Sequence, residues 1–320
     1  MQAGIERGLA AVGAVGPVAE AVRARVIAGL HGQIGNSPGD VRVGPDDDLV
    51  LAVATAPAGT IIRLAAGRYP LASTLVLLDS VTLRGAGADA TVLASDAPDA
   101  AVLAIAGGGA KLADLAVARK PTSTGSGIII GAGSLVLEGV RVSGAHARGG
   151  SGGAGVLMAA SSSAASGGDT TLEVTDSDFL ENDWAGLAVA GSQTVSIVGS
   201  SFTGNGECGL CFLDASGGSV RASTFTDNRV GIYVAGTARP ALLSNRIEGG
   251  EVGLQVEGKA APMVEGTRVT GSSRAGIVIA GSATGAIVGT TCSSVPFGIV
   301  VGSSAAPTLT DNKCSLAGGK

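Results

Sequence analysis

Between Gly186 and Gly302 one five-residue phrase recurs: glycine, an aliphatic residue, a variable one, a second apolar one and a closing residue. It reads Gly186-Leu-Ala-Val-Ala190, Gly209-Leu-Cys-Phe-Leu213, Gly231-Ile-Tyr-Val-Ala235, Gly253-Leu-Gln-Val-Glu257, Gly276-Ile-Val-Ile-Ala280 and Gly298-Ile-Val-Val-Gly302. Successive glycines stand 23, 22, 22, 23 and 22 residues apart. A fixed period of this length belongs to a stacked repeat, in which each unit buries its apolar side only against its neighbours.

Each repeat carries two further apolar runs. One is a pair, read as Val195/Ile197, Val220/Ala222, Ala241/Leu243, Pro262/Val264, Ala286/Val288 and Pro307/Leu309. The other is a single large residue: Phe179, Phe202, Phe225, Ile247, Val269, Cys292 and Cys314. The runs alternate with period two and are too short for helices, so each repeat holds two or three short strands parted by Gly, Ser, Asn and Asp. About 22 residues in three strands make one coil of a right-handed parallel β-helix, with coils about 4.8 Å apart. Like residues then stack. The three phenylalanines form an internal column, Ser177, Ser200, Ser223, Asn245, Thr267, Thr290 and Asn312 form a polar one, and Asn182, Asn205 and Asn228 suit tight turns in the left-handed region. A leucine-rich repeat would need a helical phase and a Leu-Asn consensus, and neither is present.

These phrases resemble the parallel β-helix repeat of the pectate-lyase-like superfamily, over roughly residues 40 to 320. The stretch Thr60-Ile-Ile-Arg-Leu64, Gly67-Arg-Tyr69 and Val81-Thr-Leu-Arg-Gly85 resembles the opening coils of that superfamily, where a short helix precedes the first strand. The resemblance implies an all-β, single-stranded right-handed β-helix with an N-terminal helical cap. It does not choose among lyases, epimerases, hydrolases, tail-spike proteins and non-catalytic modules.

The N-terminal 38 residues do not repeat. Pro17 and the stripe Val18, Ala21, Val22, Val26 and Leu30 predict an amphipathic helix over 17 to 30, followed by a linker, so the chain divides into 1–38 and a β-helix over 39–320. The run Leu9 to Ala19 is the competing signal-peptide reading, interrupted by Gly13, Gly16 and Pro17. A cytoplasmic location is expected, with secretion as the alternative. Asp46 to Asp48 before Leu49 to Ala56 predict a capped helix over the first coil rather than a calcium site. Gly85-Ala-Gly87 lacks the third glycine of a dinucleotide loop and is a turn. Spacings stretch around Ala145 to Ala154 and Ser161 to Gly168, which read as projecting loops. Gly318-Gly-Lys320 follows a full coil with no evident cap, so a capping partner or a further segment is expected.

The 320 residues include 53 glycines and only 2% aromatics against 45% hydrophobics, which implies a narrow aliphatic core. A net charge of −5 gives no electrostatic footprint for nucleic acid or an anionic membrane. Four cysteines do not suggest a disulfide scaffold, although Cys292 and Cys314 stack closely enough to be bridged. Cys208 and Cys211 have no second ligand pair, so neither metal nor cofactor is expected.

Two functional expectations follow. The outward column of the glycine strand reads Ile129, Leu157, Ala188, Cys211, Tyr233, Gln255, Val278 and Val300, and Leu213 and Glu257 fall in the next one. An outward face this apolar needs a cover. The first expectation is therefore a non-catalytic scaffold that self-associates or docks a protein partner through Cys211, Leu213, Tyr233, Gln255, Val278 and Val300. The alternative is a carbohydrate-active β-helix: a uronate lyase, a C5-epimerase or a polysaccharide-binding module, with Glu257, Arg239 and Lys259 as its first residues. Trp184 and Tyr233 are the expected exposed aromatics. Arg246, Arg268 and Lys313 share another outward column, a few coils from Asp176, Asp178, Glu181 and Asp183.

Overall fold

The glycine of the repeated phrase is required by the closeness of the coils. In the computed structural model, a Cβ on Gly209 would lie 2.8 Å from the carbonyl oxygen of Gly231, and one on Gly253 would lie 2.6 Å from that of Gly276. A side chain at this column would push successive coils apart, so the phrase marks a backbone-to-backbone contact. The structure describes residues 39–78, 80–98, 101–119, 123–148, 151–158 and 170–318. The helix expected over 17–30, its linker and the loop at 161–168 lie outside the described residues.

The chain forms two compact units, the first ending at Glu173 and the second beginning at Val174. In the first unit, the helix Leu49–Thr55 is capped by Asp48, whose carboxylate accepts from the Leu51 amide at 2.9 Å. Leu49 and Val53 are its buried residues. Strands Asp40–Val43, Ile61–Leu64 and Thr82–Arg84 pair in parallel, as do Gly67–Leu71, Thr91–Ser95, Ala116–Arg119 and Arg141–Ser143. Tyr69 of the Gly-x-Tyr turn is buried and donates its hydroxyl to the Val43 carbonyl at 2.8 Å and the Ala65 carbonyl at 3.0 Å. That bond explains the tyrosine: it fastens the second side of a coil to the first strand. Burial raises its pKa, Asp47 adds to the rise, and the hydrogen bond to Ala65 opposes it.

The second unit has three faces. The first face stacks Thr194–Val198, Gly217–Arg221, Arg239–Leu243, Met263–Glu265, Ala286–Val288 and Thr308–Thr310. The second stacks Asp178–Leu180, Ser201–Thr203, Thr224–Thr226, Arg246–Glu248, Arg268–Thr270 and Thr291–Ser293. The third carries the glycine phrase in Ala185–Val189, Cys208–Phe212, Val230–Val234, Val252–Val256, Ala275–Ile279 and Ile299–Val301. All of these pairs are parallel, each coil placed on the one before. On the first face the inward column is Ile197, Val220, Leu242, Val264, Ile287 and Leu309. The expected pairs Ala241/Leu243 and Ala286/Val288 are thus one residue out of phase. Leu242-Leu243 and Ile287-Val288 put apolar residues on both sides of the strand, which erases the alternation that would fix phase.

The core columns stack as their spacing predicts. Phe179, Phe202 and Phe225 lie ring on ring, with centroids 4.8 and 4.7 Å apart. The Asn182, Asn205 and Asn228 column has a different role from the one expected. Its members are buried and bonded from one coil to the next: Asn182 Nδ2 donates to Asn205 Oδ1 at 2.9 Å, and Asn205 Nδ2 to Asn228 Oδ1 at 2.8 Å. The left-handed residue is the one before, Glu181 at φ 54°, Gly204 at 65° and Asp227 at 51°. The same pairing of a left-handed residue with a buried polar one repeats at the other corner. There Asp176, Gly199 and Ala222 precede Ser177, Ser200 and Ser223, and the Ser177 amide donates to Ser200 Oγ at 3.3 Å.

Candidate functional site

A parallel register fixes what an outward column can assemble. Cys211, Tyr233, Gln255 and Val278 are Cα partners on four successive coils of the third face, with Val300 on the next. Glu257 closes the phrase of Gln255 and turns back over the face. Its Oε2 accepts from the Tyr233 hydroxyl at 2.9 Å and its Oε1 from Gln255 Nε2 at 2.5 Å. Burial, then the hydrogen bond and the charge of Glu257, raise the pKa of Tyr233, so the phenol stays protonated and acts as a donor. A carboxylate held by two donors in this way has a fixed orientation, the first requirement of a group that transfers a proton.

Arg239 and Lys259 are exposed where the chain leaves the third face for the first. Among the described residues neither forms an ion pair with Glu257. The bond that does form, from Tyr233 to Glu257, joins a residue expected in the docking face to one expected in the carbohydrate site. The signal was available: Tyr233 and Gln255 occupy equivalent positions of consecutive phrases, and Glu257 stands two residues beyond Gln255.

The cysteines are bonded in two pairs, Cys208 to Cys211 and Cys292 to Cys314, which corrects the expectation that they form no disulfide framework. The second pair joins stacked positions whose Cα atoms are 4.7 Å apart. In the first, the two sulfurs of Cys-x-x-Cys bind each other and are not free thiolates for a metal.

On the second face, Arg246 pairs with Arg268, Arg268 with Thr291, and Thr291 bridges to Lys313. The expected basic column therefore exists, and its three cations are exposed. At its far end Ser201 donates to Asp178 Oδ1 at 2.5 Å.

The family model described as a right handed beta helix region matches residues 154–314. The chain belongs to this right-handed β-helix family. A search of curated proteins finds no match. Among solved structures, the β-helix chain is similar to Geobacillus virus E2 ORF18, with 14% identity over 79% of this chain and 54% of that one, at a TM-score of 0.58. The chain spans about half the length of that viral protein. It is also similar to the catalytic domain of a GH87 α-1,3-glucanase in complex with nigerose, with 12% identity over 89% of this chain and 67% of that one, at 0.57. A third is the enzymatically active domain of bacteriophage CBA120 tailspike protein 2, with 14% identity over 87% of this chain and 43% of that one, at 0.54.

The docking expectation is corrected here. The solved structures that resemble this β-helix include carbohydrate-active and other enzyme domains, and the face assigned to a partner is not open. Cys211, Tyr233 and Gln255 are 4%, 4% and 8% exposed, and Leu213 is 2% exposed; Val278 and Val300 are half-buried. The chain already covers most of the apolar surface that a partner was invoked to cover. Trp184, expected to be exposed, is 8% accessible, so neither it nor Tyr233 offers an open sugar platform.

Proposed function

We propose that the chain is a carbohydrate-active β-helix that acts on an acidic polysaccharide at Glu257. The observation that carries this reading is the half-buried Glu257 carboxylate, oriented by Tyr233 and Gln255 at the edge of the third face. Removing the proton next to a uronate carboxyl group requires a base, a proton donor for the departing oxygen and positive charge near the developing anion. Glu257 supplies the base. Tyr233, held protonated by burial and by its neighbour, orients that carboxylate, which passes the proton it takes from C5 to the departing oxygen. Arg239 and Lys259, on the adjoining corner, supply the charge. In elimination the C5–H and C4–O bonds break and a C4=C5 double bond forms; in epimerisation the proton returns to C5 from the other side. Fold likeness to a glucanase supports the carbohydrate class without choosing the sugar. The two disulfides favour an oxidising compartment, and hence the secreted alternative.

The test is turnover of polyuronates, read by the ultraviolet absorbance of unsaturated ends and by exchange of the C5 proton in heavy water. Glu257→Gln is expected to abolish both, and Tyr233→Phe to lower the rate by about 100-fold or more. Turnover unchanged in Glu257→Gln removes the assignment. Among the described residues Glu257 is the one carboxylate in the two outward columns of this face, an observation that favours binding without catalysis as the second reading. Saturable binding of a polyuronate with no bond broken selects it.

A further inference from the structure

We propose that the second face of the second unit is a separate binding surface for an acidic polysaccharide, with Arg246, Arg268 and Lys313 as a row of cations along the coil axis. The register puts Arg246 and Arg268 on adjacent coils, about 4.8 Å apart, with Lys313 two coils further along. Like charges side by side in a strand ladder destabilise it. Nothing in the core requires them, because the inward residues of these strands are Ile247, Val269 and Cys292, and the arginines point to solvent. Arg246 has a carboxylate partner in Glu248 on its own strand. Arg268 and Lys313 have none among the described residues, although Glu265 and Asp311 lie on the neighbouring corners.

The rest of the face suits a sugar. Thr224 and Thr291 share the cation column, and Thr226, Glu248, Thr270 and Ser293 share the next outward one, where the Glu248 charge is taken up by Arg246 and Thr270 Oγ1 and Ser293 Oγ are 3.1 Å apart. Hydroxyls beside a row of positive charges spaced by one and then two coils match a chain that presents hydroxyls and carboxylates at regular intervals. The outward residues of these strands include no aromatic on which a nucleic-acid base could stack. This rests on the proposed function only for the choice of polymer, and it does not involve Glu257.

Binding of polygalacturonate to the intact chain, measured by titration calorimetry at several salt concentrations, tests the row. The triple variant Arg246→Gln/Arg268→Gln/Lys313→Gln is expected to bind at least tenfold more weakly, with a shallower dependence on salt, and each single variant by an intermediate factor. Its urea midpoint is expected to match or exceed that of the parent, because like-charge contacts are removed; a folded triple variant that binds as the parent does overturns the proposal. Equally tight binding of an oligothymidylate overturns the choice of polysaccharide. Glu257→Gln is expected to bind like the parent through this row, so loss of turnover there with binding retained leaves the row standing.

Discussion

Replacing Asn205 with alanine tests whether the buried ladder holds the coils together. The side chain makes four bonds. Its Oδ1 accepts from the Asn182 amide at 3.2 Å and from Asn182 Nδ2 at 2.9 Å, and its Nδ2 donates to the Phe179 carbonyl at 3.1 Å and to Asn228 Oδ1 at 2.8 Å. Asn228 Oδ1 keeps a donor after truncation, since it also accepts from the Asn205 backbone amide at 3.0 Å. Three buried groups lose this partner: the Asn182 amide, Asn182 Nδ2 and the Phe179 carbonyl. Each of the four buried bonds lost is worth about 1 kcal/mol, so Asn205→Ala is expected to lose roughly 3 to 5 kcal/mol, a large share of a typical domain's stability of about 5–15 kcal/mol. Urea unfolding followed by far-ultraviolet circular dichroism measures it, with the exposed Thr203→Ala as the control expected within about 0.5 kcal/mol of the parent. A loss below about 1 kcal/mol at unchanged m would mean that the ladder is incidental and that apolar stacking alone fixes the coils.

Other sites should respond in the opposite direction or on a different axis. Among the described residues Thr267 Oγ1 is buried without a hydrogen-bond partner, so Thr267→Val, of nearly the same shape, should be neutral or stabilising by about 1 kcal/mol; a clear loss by urea titration would reveal a bond to this hydroxyl. Removing Cys292–Cys314, which spans 22 residues, should cost about 3 kcal/mol, and removing Cys208–Cys211, which spans 3, about 2 kcal/mol, as read from the midpoints of paired Cys→Ala variants. Both tyrosines have pKa values raised above the ordinary 10.0. The unfolded chain therefore loses phenolic protons first as pH rises, so stability is intact below about pH 10 and falls above it by up to about 1.4 kcal/mol per pH unit per tyrosine. Tyr233→Phe should roughly halve that slope, and an unchanged slope would show that Tyr233 ionises freely in the native state.

The fold was legible because its strongest constraints act on single columns. Gly209 and its equivalents admit no Cβ, and Phe202 must meet another ring one coil away on either side, so both recur at the coil period and can be aligned by eye. Corners were harder to read. The left-handed position is filled by Glu181, Gly204, Asp227, Gly249, Gly271 and Ser294, a mixed set that leaves no column, whereas the conspicuous asparagines beside it on three of these coils serve hydrogen bonding and not backbone conformation. Local sequence identifies the turn but assigns its cause to the wrong residue. The Cys292–Cys314 pair could be anticipated because stacking sets its distance. Cys208–Cys211 could not, because an ideal strand holds positions i and i+3 too far apart for a bond, while here the Cα atoms are 6.0 Å apart.

Function was less legible for a related reason. Alternation tells which side of a strand a residue occupies, but an outward residue can still be covered by the rest of its own chain. Tyr233 and Gln255 are outward and almost fully buried; Arg246 and Arg268 are outward and exposed. The same periodic rule placed all four, and only the tertiary structure separates them. That separation reverses the value of the two columns. The apolar face that had seemed to require a partner has little surface left to offer one, and its remaining chemistry gathers at the edge, in the carboxylate of Glu257. The basic column, which could have been ordinary solvated surface, keeps like charges in register where a neutral residue would serve the fold better. A stack of nearly identical coils has few places where sequence departs from what stacking wants, and in the second unit Glu257 and the Arg246–Arg268 pair are two of them.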